Sequence, residues 1–223
     1  VSEVSIEVGI GGRENMARDV ALLQRAEVGG IAVRVYTWDG PWVSLGRFQR
    51  PERALLRPTE TDWVVRPTGG KAVLHGHDVT VGLAAHLHDL GLRDLAARRV
   101  STVYRAVVGS LVEALCGAGL RCTLAERTAH VRSGGHTADC FAHVSPNDVV
   151  DPETGEKVCG CALRVTERAV LLQASIPVGE PLVEPAHVFA APHTPARVRD
   201  LSLEALAEGL RTIRPPETVL SMD

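Results

Sequence analysis

The sequence has no surplus of positive charge: 24 Lys and Arg stand against 27 Asp and Glu, for a net charge of -3 and a pI near 6.3. Without a basic face to hold a phosphate backbone, DNA and RNA are disfavoured as primary partners, and a small solute or an acidic protein is the better expectation. No stretch reaches the roughly 18 uninterrupted apolar residues that a membrane span needs, and the first thirty residues show no charged-then-apolar leader. No membrane association and a soluble, cytoplasmic protein are therefore expected. There is no even-numbered cysteine framework either: the five cysteines (Cys116, Cys122, Cys140, Cys159, Cys161) are an odd set in a chain of 223 residues, which favours free thiols in a reducing compartment. Internal repeats and low-complexity linkers are also absent, so one domain over residues 1–223 is expected.

What is present is a mixture of helical and extended patterns. Met16, Val20 and Leu23 recur at helical spacing between Glu14 and Ala26, and Gly29-Gly30 follows as a stop. "IAVRVYTW" (31–38) reads as a strand running into Asp39-Gly40-Pro41, with a short strand expected near Val43. "DWVVR" (62–66) and "VTVGLAAHL" (79–87) read as strands joined by a glycine-rich loop. Val103, Val107, Leu111 and Leu115 predict a second helix, with Ser101 as its N-cap and Gly117 and Gly119 at its end. "DVV", "KVCGCALRV" and "AVLLQASIPV" predict three consecutive antiparallel strands, the first pair joined by "DPETGE". Ser202 is placed as the N-cap of a final amphipathic helix. Strands and helices mix without regular alternation, which predicts an α+β fold on a mixed, largely antiparallel sheet.

Three places could carry chemistry. The loop "RPTGGKAVLHGHDVT" (66–80) lacks the Gly-Lys-Ser/Thr ending of a P-loop and the spacing of GxGxxG. Its adjacent glycines can bring backbone N–H groups close to an anion or a carbonyl, with Lys71 or Arg66 adding charge, but a plain glycine-rich connection fits the spacing equally. His75-x-His77-Asp78, or Cys140, Cys159 and Cys161 with His136 or His143, could ligate a metal, yet no CxxC pair or HExxH helix supports it, and no metal is expected. Cys159 and Cys161 alternate along a strand and share a face. Cys140 lies in the long irregular segment between Glu126 and Asp148, away from any apolar stripe, as a nucleophile would. Lys157 could lower its pKa or polarise a carbonyl, and His136 or His143 could take its proton, whereas Asp139 would oppose ionisation. From the residues alone, an inert or incidental thiol is the favoured reading.

Taken together, "ENMARDVALL" (14–23), "VYTWDGPWVSLGRFQ" (35–49), "VRPTGGKAVLHGHDVT" (65–80), "DCFAHVSPNDVV" (139–150) and "GEKVCGCALRVTERAVLLQASIP" (155–177) resemble, in order, the lipoate-protein ligase A, octanoyltransferase and biotin ligase catalytic-domain superfamily. The resemblance implies an α+β domain whose glycine loop lines an acyl tunnel. Arg66, Thr68, Gly69, Gly70, Lys71, Ala72, His75, Gly160 and Ala162 would contact substrate, while Lys157 would meet the acyl carbonyl. Cys140 falls where the cysteine-dependent transferases carry their nucleophile, which implies transfer of octanoyl or lipoyl from a carrier-protein thioester to a lysine of a lipoyl domain. The donor would be acyl carrier protein or the glycine-cleavage carrier protein. No cofactor is implied on that route. ATP enters only for the alternative, a lipoate ligase or its catalytic subunit; a noncatalytic acyl- or carrier-binding module is the third reading. Val65 stands at the family's first loop arginine and Cys161 where serine is common, and the tail after Pro177 is short for the further domain many lipoate ligases carry. His75 and Asp78 are read as bracing the loop.

Overall fold

The computed structural model describes residues 3–93, 99–131, 144–146, 148–190 and 197–213. Among these described residues ten strands form two sheets. The larger contains β1 (Glu3–Ile10), β2 (Ile31–Trp38), β6 (Asp78–His86), β7 (Thr123–Leu124), β8 (Val149–Val150), β9 (Lys157–Val165) and β10 (Ala169–Pro177), in the order β1-β2-β6-β10-β9-β8-β7. Every neighbouring pair is antiparallel except β1 with β2, which are parallel and joined through helix α1 (Gly12–Val28). The smaller sheet is β4 (Trp63–Val65), β3 (Val43–Leu45) and β5 (Val73–Leu74) in the order β4-β3-β5. A one-turn helix α2 (Pro51–Ala54) follows β3, and α3 (Val100–Gly117) and α4 (Leu203–Arg211) complete the fold. The α+β class on a largely antiparallel sheet is as expected.

Strand alternation divides the large sheet into two unlike faces. One carries Val33 and Val35 of β2, Val81 and Leu83 of β6, and Leu172 and Ile176 of β10, packed against Val107 and Leu111 of α3 and Leu206 and Leu210 of α4. This is the main core. On the opposite face α1 lays Leu22, Leu23 and Ala26 over Ala84 and Leu171. Moving along β2, β6 and β10 toward the small sheet, that second face turns polar: Arg34, Tyr36, Asp78, Thr80, Gln173 and Ser175 replace aliphatic residues and are all buried. A strand whose inward positions change from leucine to glutamine, serine and aspartate is paired on its far side to something other than an oily core.

Arg34 anchors the polar end. Its guanidinium donates to both carboxylate oxygens of Glu7 at 3.0 and 2.9 Å, to Asp19 at 2.5 Å and to Asn15, and it lies 4.4 Å from the centroid of the Tyr36 ring. Gly82 is glycine because Asp19 needs the space: a Cβ there would sit 2.6 Å from Asp19 Oδ1. Burial pushes the Asp19 carboxyl upward against the pull of Arg34, and the hydrogen bond from Arg34 is the leading cause that lowers the Glu7 pKa to about 2.

Several local expectations change. Ser101 is not the cap of α3; the helix starts at Val100, two residues earlier than such a cap would place it, with Arg99 at the N-cap and no side-chain cap bond. Ser202 does cap α4, accepting from the Ala205 amide at 3.2 Å. The glycine loop does not run straight into β6: β5 intervenes and pairs with β3. β1, a strand not expected from the sequence reading, precedes α1. Asp151 closes the β8–β9 turn by accepting from the amides of Glu153 and Thr154. By length and composition α3 could cross a membrane, but its apolar residues Val103, Val107, Leu111 and Leu115 are buried in the main core.

Two outcomes follow from this packing. Leu172→Ala, at a fully buried site, should lower the free energy of unfolding by about 2–5 kcal/mol in urea titration. The folded pKa of Glu7 lies below its unfolded value of 4.5, so the stability it contributes is full above that pH and is lost as pH falls toward 2. The stability gap between the wild type and Glu7→Gln should therefore be constant from pH 5 to 7 and close progressively between pH 4.5 and 2; a gap independent of pH would refute the assignment.

Candidate functional site

The residues predicted to line a pocket cluster where the small sheet meets the polar end of the large one. β4 ends at Val65, whose side chain is exposed, and the alternation then turns Arg66 inward, where it is 4% exposed. A buried guanidinium must have its donors satisfied. Arg66 Nη2 donates to the carbonyls of Gly69 at 2.6 Å and Lys71 at 2.7 Å, Nη1 to the carbonyl of Ser44 at 2.9 Å, and Nε to Thr68 Oγ1 at 3.1 Å. One side chain thus collects three backbone carbonyls and shapes the loop from within.

The loop is held from both sides. Beneath it, Gly46 touches Gly70 so closely that a Cβ on Gly46 would fall 2.0 Å from the Gly70 carbonyl oxygen, and Gly70 itself adopts φ +87°. Beyond it, a Cβ on Gly70 would lie 3.7 Å from that of Ala162 on β9. Gly69 has open space around its Cα. Thr68 donates to Gln173 Oε1 at 2.7 Å, and Gln173 Nε2 donates to Asp19 Oδ2 at 2.6 Å, which links the loop to the Arg34 anchor.

His75 lies at the loop's far end, flat against Trp38 with ring centroids 3.9 Å apart. Its Nε2 is 2.8 Å from Ser44 Oγ and its Nδ1 is 2.8 Å from Asp78 Oδ2. Asp78 also accepts from Ser175 Oγ at 2.6 Å and Thr80 Oγ1 at 3.0 Å. Full burial pushes the Asp78 carboxyl upward, but the positive potential and hydrogen bond of His75, with the bond from Ser175, outweigh it and hold the group below the usual carboxylate range. Both ring nitrogens of His75 therefore have partners within the protein, and the bracing role expected for His75 and Asp78 is what they perform. Among the described residues, no group of three or more His, Cys, Asp or Glu is arranged to hold a metal ion.

Ser44, Arg66, Gly70, Gly160 and Ala162, together with Gln173 and Ser175, line a narrow cavity between the glycine loop and strands β9 and β10. Its exposed lining is mostly apolar, although the hydrogen-bonded groups above sit directly behind it. Lys157 begins β9, three residues before Gly160, and is buried with Nζ 2.9 Å from Asp148 Oδ1. The Ser145 amide fixes the other oxygen of Asp148 at 2.7 Å. Tyr104 of α3 lies against Cys161 and Asp148, and burial together with these neighbours raises its phenol pKa. Cys159 and Cys161 share a face as expected, with sulfurs 3.5 Å apart; burial first, then Cys161, raises the Cys159 pKa and leaves it a poor nucleophile.

The structure therefore brings Arg66, Thr68, Gly69, Gly70, Gly160 and Ala162 together. Lys71 is half-buried beside them, with its carbonyl held by Arg66. Ala72 instead packs into the small-sheet core with Leu45 and Leu74. Cys140, with His136, Asp139 and His143, lies outside the described residues. Sequence reasoning missed Ser44, Gly46, Asp148 and Gln173. Gln173 and Ser175 interrupt an apolar alternation and could have been flagged; Asp148 and Ser44 show no pattern until the fold places them.

A family model described as the lipoyl protein ligase A/B catalytic domain matches residues 12–208. Among curated relatives, octanoyltransferase LipM from Kyrpidia tusciae is 31% identical over 196 residues, covering 83% of this chain and 68% of the relative. Octanoyltransferase LipM from Anoxybacillus flavithermus is 30% identical over 171 residues, covering 71% of this chain but only 58% of the relative. Among solved structures, a bi-partite lipoate protein ligase from Thermoplasma acidophilum superposes with a TM-score of 0.66 at 20% identity, covering 94% of this chain and 80% of that one. A lipoate-protein ligase A bound with ATP gives 0.67 at 19% identity, covering 93% and 81%. At these identities the structural likeness establishes the fold.

The contact of Gly46 with Gly70 can be tested alone. Gly46→Ala should cost about 1–3 kcal/mol by overpacking and should raise amide hydrogen exchange at residues 68–71. Gly40→Ala, where a Cβ meets nothing within 4 Å, should do neither.

Proposed function

The chain belongs to the lipoyl protein ligase A/B catalytic-domain family, and from that premise we propose that it transfers an octanoyl or lipoyl group from a carrier-protein thioester, through Cys140, to a lysine of a lipoyl domain. The observation that carries this reading is the mostly apolar cavity under the glycine loop, lined by Gly70 and by Gly160 and Ala162 of β9, the strand that begins with the buried Lys157, paired with Asp148. A lysine paired with a buried carboxylate has a fixed direction, which suits it to stabilise an oxyanion.

In the first half-reaction the Cys140 thiolate attacks the thioester carbonyl, and the tetrahedral oxyanion lies against the ammonium of Lys157. The carbon–sulfur bond to the carrier breaks, its thiolate leaves and takes up a proton, and an acyl-enzyme thioester remains. In the second, the neutral amine of the acceptor lysine attacks the same carbonyl. The amide forms, the amine loses its proton, and Cys140 leaves as thiolate. The incoming thioester is already activated, so this route needs neither ATP nor metal. Arg66 serves to hold Gly69 and Lys71 in place, and Gly160 and Ala162, which lack bulky side chains, leave room for the acyl chain.

Intact-mass measurement after mixing with octanoyl carrier protein should show an adduct of one octanoyl group, absent in Cys140→Ser. Lys157→Met should slow its formation by about 100-fold or more, in the range seen for loss of one oxyanion donor. Pyrophosphate release with free lipoate and ATP, indifferent to Cys140, would replace this reading with the ligase. Tight acyl binding with no transfer under any condition would replace it with a binding module.

A further inference from the structure

The segment that links β3 to β4 opens with a run of arginines. Residues 47–57 hold Arg47, Arg50, Arg53 and Arg57 against one acid, Glu52, in a protein whose net charge is -3. Arg57 is paired with Glu60 at 3.2 Å. Arg47, Arg50 and Arg53 are exposed, and among the described residues none has a carboxylate within ion-pair distance. Three like charges within seven residues repel one another. Phe48 stands among them at 79% exposure, with the Arg47 guanidinium 4.4 Å above its ring. Phe48, Gln49, Arg50, Arg53 and Ala54 line a shallow cavity of about 200 Å³.

This tongue is rigidly mounted. Ala54 and Leu55 are buried in the small-sheet core, and Leu55 bridges to Phe189. Its first residue is tied to the acyl cavity: the Arg47 amide donates to the Thr68 carbonyl at 3.0 Å, and Gly46 is the residue pressed against Gly70. A partner seated on the tongue is therefore at the glycine loop.

We propose that the basic tongue formed by Arg47, Phe48, Arg50 and Arg53 is the docking surface for an acidic carrier domain that delivers the acyl thioester. Phe48 is the anchor, and the arginines both steer the anionic partner and fix its approach. The charge favours the donor over the acceptor: a lysine-presenting domain brings a cation toward the same loop, and a row of arginines would repel it. The proposal rests on the acyl-transfer reading above and names the site through which its donor enters.

The test compares the wild type with the triple variant Arg47→Glu, Arg50→Glu, Arg53→Glu and with Phe48→Ser, using two octanoyl donors: octanoyl carrier protein and the small neutral thioester octanoyl-pantetheine. All replaced side chains are exposed, so urea midpoints should not move. With the carrier, kcat/KM for acyl-enzyme formation should fall by about 100-fold in the triple variant and about tenfold in Phe48→Ser. Its decline with added salt, steep in the wild type, should flatten. With octanoyl-pantetheine, acyl-enzyme formation should change less than about twofold. Equal rates with the carrier in all three proteins would overturn the proposal, as would a loss confined to the second step with the acceptor domain. A wild type that acquires no octanoyl group from either donor would remove the transfer reading itself, and this surface's partner with it.

Discussion

The site depends on one buried cation. Arg66 enters the interior because β4 alternates Val65 outward and Arg66 inward, and once there it must find acceptors for its donors. It finds them in the carbonyls of Ser44, Gly69 and Lys71, belonging to a strand and to the two ends of the glycine turn. A glycine pair left to itself would sample many conformations; here the turn is selected by a side chain that lies inside it. The clamp is then bolted down by Thr68, Gln173 and Asp19 to the Arg34 network, so that the loop and the α1 face of the sheet form one hydrogen-bonded body. Networks of this kind are stable only when every member is satisfied, and that condition makes the loop's geometry unique.

This arrangement changes the meaning of several residues. The family resemblance implies that Arg66 contacts substrate; Arg66 lines the cavity, and the hydrogen bonds described above also tie it to Thr68 and to three backbone carbonyls. His75 and Asp78 suggest metal ligands by type, yet His75 is sandwiched between Ser44, Asp78 and Trp38 and works as a strut. On the proposed transfer reading, the residues left to meet an acyl chain are those with little to offer but space, Gly70, Gly160 and Ala162. A mostly apolar slot of this kind is suited to a neutral chain ending in a carbonyl.

Much of the fold was legible because its elements obey strong periodicities. The helices at Met16–Leu23 and Val103–Leu115 and the strand triplet ending in β10 follow directly from apolar spacing. β1 was legible but not read: Glu3, Ser5 and Glu7 alternate with Val4, Ile6 and Val8, the period of a strand, here at the edge of the sheet. Ser101 misled because a serine near an apolar run satisfies the cap rule in sequence, while the helix had already begun at Val100. At the site, the glycine loop and Lys157 were visible as motifs, whereas Ser44, Gly46 and Asp148 matter only for what the fold places against them. Gly46 is one of 21 glycines, and its need to be glycine is set by the Gly70 carbonyl, 24 residues away in the chain.

The claim that Arg66 positions the loop rather than touching substrate is tested most directly by amide hydrogen exchange on Arg66→Lys, read beside octanoyl-enzyme formation. A lysine keeps the charge but cannot bridge three carbonyls. Exchange at residues 69–72 should rise by at least tenfold while β6 and β10 keep their protection, and acylation should slow in step with the loosened loop. Unchanged protection across the loop together with a lost acyl transfer would contradict the account, because it would make Arg66 a group that acts on the substrate itself.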